Sequence, residues 1–188
     1  MWWHEKLPAR RRCLNVVVVF AIAGLTAGCF QPLYAEKTLD GQPGLKEMMS
    51  SVDVAQIPAP NGSPLGRIAV AVRDDLVFQT TGGGAPPPPR YRLKITMYSN
   101  QLSVIVDIST NRPDVTNEAL NANYELIEIK TGKVVLRDQT FARVSYDIPG
   151  EEQRFAAARA LREAENRAAA IVASNIRTRL ASYFAAGT

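Results

Sequence analysis

Along the middle of the chain apolar and polar residues alternate with a period of two. Tyr91, Leu93, Ile95 and Met97 are interleaved with Arg92, Lys94, Thr96 and Tyr98, the pattern of a half-buried strand. After Ser99 the phase changes, with Leu102, Val104 and Val106 now apolar, which predicts a bulge near Asn100 or a break. Asn111-Arg112-Pro113-Asp114 reads as a loop. Leu120, Ala122, Tyr124 and Leu126 then alternate with Asn121, Asn123 and Glu125. Lys130-Thr131-Gly132-Lys133 reads as a hairpin turn. Residues 134–146 return with Thr140, Ala142, Val144 and Tyr146 on one side and Arg137, Gln139, Arg143 and Ser145 largely on the other. One apolar face and one wet face predict an antiparallel sheet covered on one side only.

Two stretches follow the helical period instead. In 65–78 the apolar residues Leu65, Ile68, Ala69, Val72 and Leu76 recur at helical spacing. Asn61-Gly62 turns the chain into this helix, with Ser63 as N-cap and Pro64 at the first helical position. Residues 151–184 form a second, long helix. Glu151 and Glu152 suit its positive end, and Arg177 and Arg179 its negative one. Its buried stripe runs Ala157, Leu161, Ala164, Ala168, Val172, Ile176, Leu180, Phe184, with no strict heptad. Arg159, Arg162, Glu163, Glu165 and Arg167 are expected on a solvated face. Val52, Val54 and Ile57 mark a short first strand over 51–58, and 35–50 is loop with at most a helical turn at 45–49. The Gly82-Gly83-Gly84 and Pro86-Pro87-Pro88-Pro89 runs form a spacer. No Lys-Ser/Thr pair or helix follows the glycines to make a phosphate cradle. The fold class expected is α+β: a mixed, mainly antiparallel four-stranded sheet with two helices packed on one face. A right-handed crossover sets the first strand beside the other three.

The N-terminal stretch has neither period. Arg10, Arg11 and Arg12 precede an apolar run over 16–25, the length of a signal-peptide core. Leu25-Thr26-Ala27-Gly28-Cys29 resembles a bacterial lipobox. Residues 1–28 are therefore expected to be a lipoprotein signal peptide, Cys29 the lipidated residue, 29–50 an acylated tether and 51–188 a single domain. Two or more acyl chains suffice for stable anchoring. Phe30, where an aspartate would mark inner-membrane retention, directs the expectation to the outer membrane, periplasmic side.

Composition changes once the leader is set aside. It takes four of the 22 basic residues and one of the 18 acidic ones, so the net charge falls from +4 to about +1. Nucleic-acid binding loses its global support. Cys13 and His4, the sole histidine, leave with the leader, and Cys29 is consumed by acylation. The remainder can form no internal disulfide and no histidine-based catalytic triad, and it lacks the commonest zinc ligand. Asp107 and Asp114 have no spacing that supports carboxylate catalysis. The expectation is a protein that is not an enzyme, with no cofactor and no metal.

The lipobox cysteine, Phe30-Gln31-Pro32-Leu33-Tyr34 beside it, the strand-helix-strands-helix order and Val144-Ser145-Tyr146 before an Ala/Arg/Glu-rich terminal helix resemble the LPS-assembly lipoprotein (LptE) family, particularly its alphaproteobacterial members. The resemblance spans essentially the whole chain after the leader. It implies a partner of the LptD β-barrel that plugs the barrel lumen, aids its assembly and can bind lipopolysaccharide (LPS) on its way to the cell surface. Basic loop residues would then meet the acidic groups of LPS: Arg112 in the strand loop, and Lys130, Lys133 and Arg137 around the hairpin. Arg90, Arg92 and Lys94 make a second basic stripe. An auxiliary lipoprotein of an ABC- or MCE-type lipid transporter is the alternative.

Overall fold

The structure, a computed structural model, describes residues 43–107, 112–147 and 154–186. The lipobox, Cys29, the Phe30–Tyr34 segment and Glu151 lie outside the described residues. The elements run α1 (Leu45–Ser50), β1 (Val52–Val54), α2 (Pro64–Thr81), β2 (Tyr91–Asp107), β3 (Arg112–Glu128), β4 (Val134–Asp147) and α3 (Arg154–Ala186).

The strands form one four-stranded sheet in the order β1-β2-β3-β4. β1 is parallel to β2, and the other pairs are antiparallel. This is the expected mixed α+β sheet, with one helix more than expected. The stretch over 45–49 is a helix whose Leu45 and Met49 are buried in the core with α2, α3 and β1 around them.

Helix α2 starts as its capping residues require. Ser63 Oγ accepts from the Gly66 N–H at 3.0 Å, with Pro64 at the first helical position. It stops at Gly82, whose φ of +66° suits the left-handed cap. Ile68, Ala69, Val72 and Leu76 are buried along one face. Helix α3 lies across β3 and β4 and alongside α2. Ala164, Ala168, Ala169 and Ala173 are buried at these contacts, and small side chains there let the backbones approach. Val172, Ile176 and Leu180 fill the core further along, and Phe184 closes it against Tyr91 at a ring separation of 5.3 Å.

Two strand expectations need correction. β2 does not bulge or break at Asn100. Its register on β3 is regular from Tyr91 to Ser103, and the shifts fall between Ser103 and Val106. Leu102 therefore stays in phase with Arg92 and Lys94 and is exposed on the polar face. Likewise β3 starts at Arg112, inside the stretch read as a loop, with Arg112 paired to Asp107 and Pro113 to Val106.

Candidate functional site

Every helix packs on one face of the sheet. On that face the antiparallel register aligns Leu93 with Leu126 and Leu136, and Ile95 with Tyr124 and Asp138. Two polar contacts fix α3 along β4: Arg179 Nε to Asp138 Oδ2 at 2.9 Å and Asn175 Nδ2 to Thr140 Oγ1 at 3.0 Å. The arginine, and the Gln139 N–H that Asp138 also accepts, hold the Asp138 carboxyl below the usual carboxylate range. Burial, with the Asp138 charge, pushes the Tyr124 hydroxyl up to about 12.

The opposite face carries no element among the described residues. Its rows run across β2, β3 and β4 as Lys94-Glu125-Arg137, Thr96-Asn123-Gln139, Tyr98-Asn121-Phe141, Asn100-Ala119-Arg143 and Leu102-Asn117-Ser145. The strand alternation read from the sequence placed most of these positions on the wet side. The three rows are thus polar at one end and aromatic in the middle. Tyr98 and Phe141 are 55% and 65% exposed, well beyond what a free surface needs to show. A shallow cavity of about 510 Å³ lies over the Lys94 and Thr96 rows. Arg137 Nε pairs with Glu125 Oε1 at 2.8 Å, and Arg92 Nε with Asp53 Oδ2 at 3.1 Å. No ion pair among the described residues engages Lys94 or Arg143.

Of the four candidate LPS contacts, three share one end of the sheet. Lys130 and Lys133 flank the turn closed by Gly132, whose φ is +69°, and both are exposed. Glu128 N–H donates to the Lys133 carbonyl at 2.9 Å, and Gly132 N–H to the Glu128 carbonyl at 2.8 Å. Arg137 enters β4 just beyond, its charge already matched by Glu125. Arg112 begins β3 at the other end, about 50 Å away along the strand at 3.4 Å per residue. The structure does not bring it to the other three.

A second polar cluster lies under the helices, where sequence reasoning expected none. Glu165 is not on a solvated face: it is 3% exposed and bonded to Arg67 Nη2 of α2 at 2.9 Å. Glu118 of β3 is 1% exposed, with Oε2 lacking any hydrogen-bond partner. Burial pushes its carboxyl pKa up, the Gln101 hydrogen bond opposes this, and the Glu165 charge adds to it. The Tyr146 hydroxyl is raised by burial and by both carboxylates. The available signal was phase, since Glu118 is in step with Leu120, Ala122, Tyr124 and Leu126. No group of three or more metal-ligating side chains occurs among the described residues. No described helix is long and apolar enough to cross a membrane.

No protein-family model matches the chain, and no curated protein matches it. Solved structures do. A candidate lipoprotein from Caulobacter crescentus superposes with a TM-score of 0.58 at 21% identity, over 77% of this chain and 97% of that one. Rare lipoprotein B from Shewanella oneidensis does so with a TM-score of 0.50 at 10% identity, over 70% and 93%. At these identities the likeness is one of fold.

Proposed function

We propose that this chain is an outer-membrane lipoprotein, acylated at Cys29 and held on the periplasmic side, that binds an LptD-type β-barrel through the open face of its sheet. There it serves as lumen plug and assembly aid in carrying LPS to the cell surface. The observation that carries the reading is the uncovered face: five rows of mostly polar side chains with exposed Tyr98, Leu102 and Phe141 among them. A barrel lumen is polar where its outer wall is apolar, so such a face is complementary to it. The lipobox and a fold shared with two lipoproteins support the anchor. Lys130 and Lys133 carry the direct LPS contact, as adjacent unengaged cations suited to phosphate. Arg137 and Arg112 contribute less, one neutralised by Glu125 and the other remote.

The test is recovery of the acylated chain from envelope membranes in mild detergent. A co-purifying outer-membrane barrel is the expected result. An inner-membrane lipid transporter in its place would favour the auxiliary-lipoprotein alternative and overturn this reading.

A further inference from the structure

The open face has a relief that mere polarity does not require. Its central column, on β3, is short: Asn117, Ala119, Asn121 and Asn123. The flanking strands carry long side chains, with Tyr98 and Phe141 directly across Asn121. The result is a channel along β3, floored by amides and walled by two aromatic rings about 10 Å apart, twice the strand spacing. Lys94 and Arg143 stand at its sides without ion-pair partners among the described residues. Ser145 Oγ donates to Asn117 Oδ1 at 2.6 Å, leaving the Asn117 amide N–H groups to a ligand.

The floor repeats every two residues, about 6.8 Å, and an extended polypeptide repeats every two residues by the same distance. Each asparagine offers N–H donors and a carbonyl acceptor, the complement of one peptide unit. A peptide lying over β3 would therefore meet Asn121 and Asn123 in register, skip Ala119 and meet Asn117. A barrel wall cannot supply this. Its backbone groups are paired strand to strand, and only side chains turn inward.

We propose that the channel holds an extended, acidic segment of the partner protein, its peptide groups bonded by the three asparagines and its side chains gripped between Tyr98 and Phe141. Lys94 and Arg143 select the acidic side chains. The proposal deepens the barrel reading by naming the part of the partner that docks, and rests on that reading only for whose segment it is.

The experiment replaces Asn117, Asn121 or Asn123 singly with photoreactive p-benzoylphenylalanine in the full acylated chain, irradiates cells and maps the adducts by mass spectrometry. The expected adducts fall on one linear stretch of one protein, and moving the probe from 123 to 121 moves the adduct by two residues. Lys94→Glu with Arg143→Glu lowers the yield at least fivefold. Adducts scattered over several barrel strands, on residues 30–42 of this chain, on saccharide, or absent altogether overturn the proposal. Scattered adducts on a barrel that still co-purifies would leave the barrel reading standing. Two-residue stepping along a protein that is not a barrel would do the reverse.

Discussion

The most consequential single residue in the core is Glu118, a carboxyl sealed under the helices with one oxygen unbonded. Its folded-state pKa is raised above the ordinary 4.5, so the native state holds that proton after the unfolded chain has released it. Stability from this group is thus full below about pH 4.5 and is lost as pH rises through the folded value. Glu118→Gln keeps the shape and removes the charge. It should raise stability at pH 8 by about 1 kcal/mol, the scale of a buried group left unsatisfied, and flatten the fall between pH 5 and pH 8. Urea denaturation at the two pH values measures both; an unchanged slope would assign the pH dependence elsewhere. Arg67 makes the opposite case. Its half-exposed guanidinium is the partner of the buried Glu165, so Arg67→Met leaves a carboxylate buried alone. Discounted for the exposed arginine, the expected loss is about 2 kcal/mol at pH 8. It should shrink at pH 5, where Glu165 can take up a proton instead.

At the scale of elements, α2 and α3 show what small residues and caps contribute. An added Cβ at Gly82 would meet nothing within 4 Å, so Gly82→Ala isolates the left-handed φ itself and should cost about 1 kcal/mol. Ala168 lies fully buried on α3; Ala168→Leu forces methylenes into a filled contact and should cost about 1–3 kcal/mol. Thermal denaturation of both variants checks the two figures against each other. The caps and the α2 stripe were legible in the sequence because they depend on local chemistry alone: Ser63, Pro64 and Gly82 act within one turn. The register of β2 was not. Leu102 looks like a core residue because it is apolar, yet the strand runs on in phase and delivers it to the open face; a bulge near Asn100 was inferred from burial that does not occur there. Glu165 was misjudged for the mirror reason. A charged residue in a helical stripe reads as solvated unless its partner is known, and Arg67 lies 98 residues away. Long-range pairing leaves no mark on local periodicity.

For the whole molecule, the question is whether anchor, sheet face and hairpin tip are separable devices. The described core includes no residue before Leu45, and its buried side chains join all four strands to three helices without a disulfide. An acyl group on Cys29 would then determine where the domain resides and leave its folding alone. Cys29→Ala should accordingly yield a domain of unchanged melting temperature that still binds the barrel, with only its membrane retention lost. The tip is separable by the same reasoning. Lys130 and Lys133 stand beyond the last paired residues of β3 and near the first of β4, clear of the rows from Lys94 to Leu102. Proximity in sequence had grouped Arg112 with them, but an antiparallel strand carries its two ends apart, and no reading of loop charges can see that. Reversing both lysines, Lys130→Glu with Lys133→Glu, should weaken LPS binding about tenfold, the loss of one charge-assisted contact, while barrel recovery stays within twofold. Tyr98→Ala with Phe141→Ala should do the opposite, because those rings sit in the middle of the face and touch nothing at the tip. Parallel loss of both activities in either variant would mean that face and tip act as one surface, and the division of labour would fall.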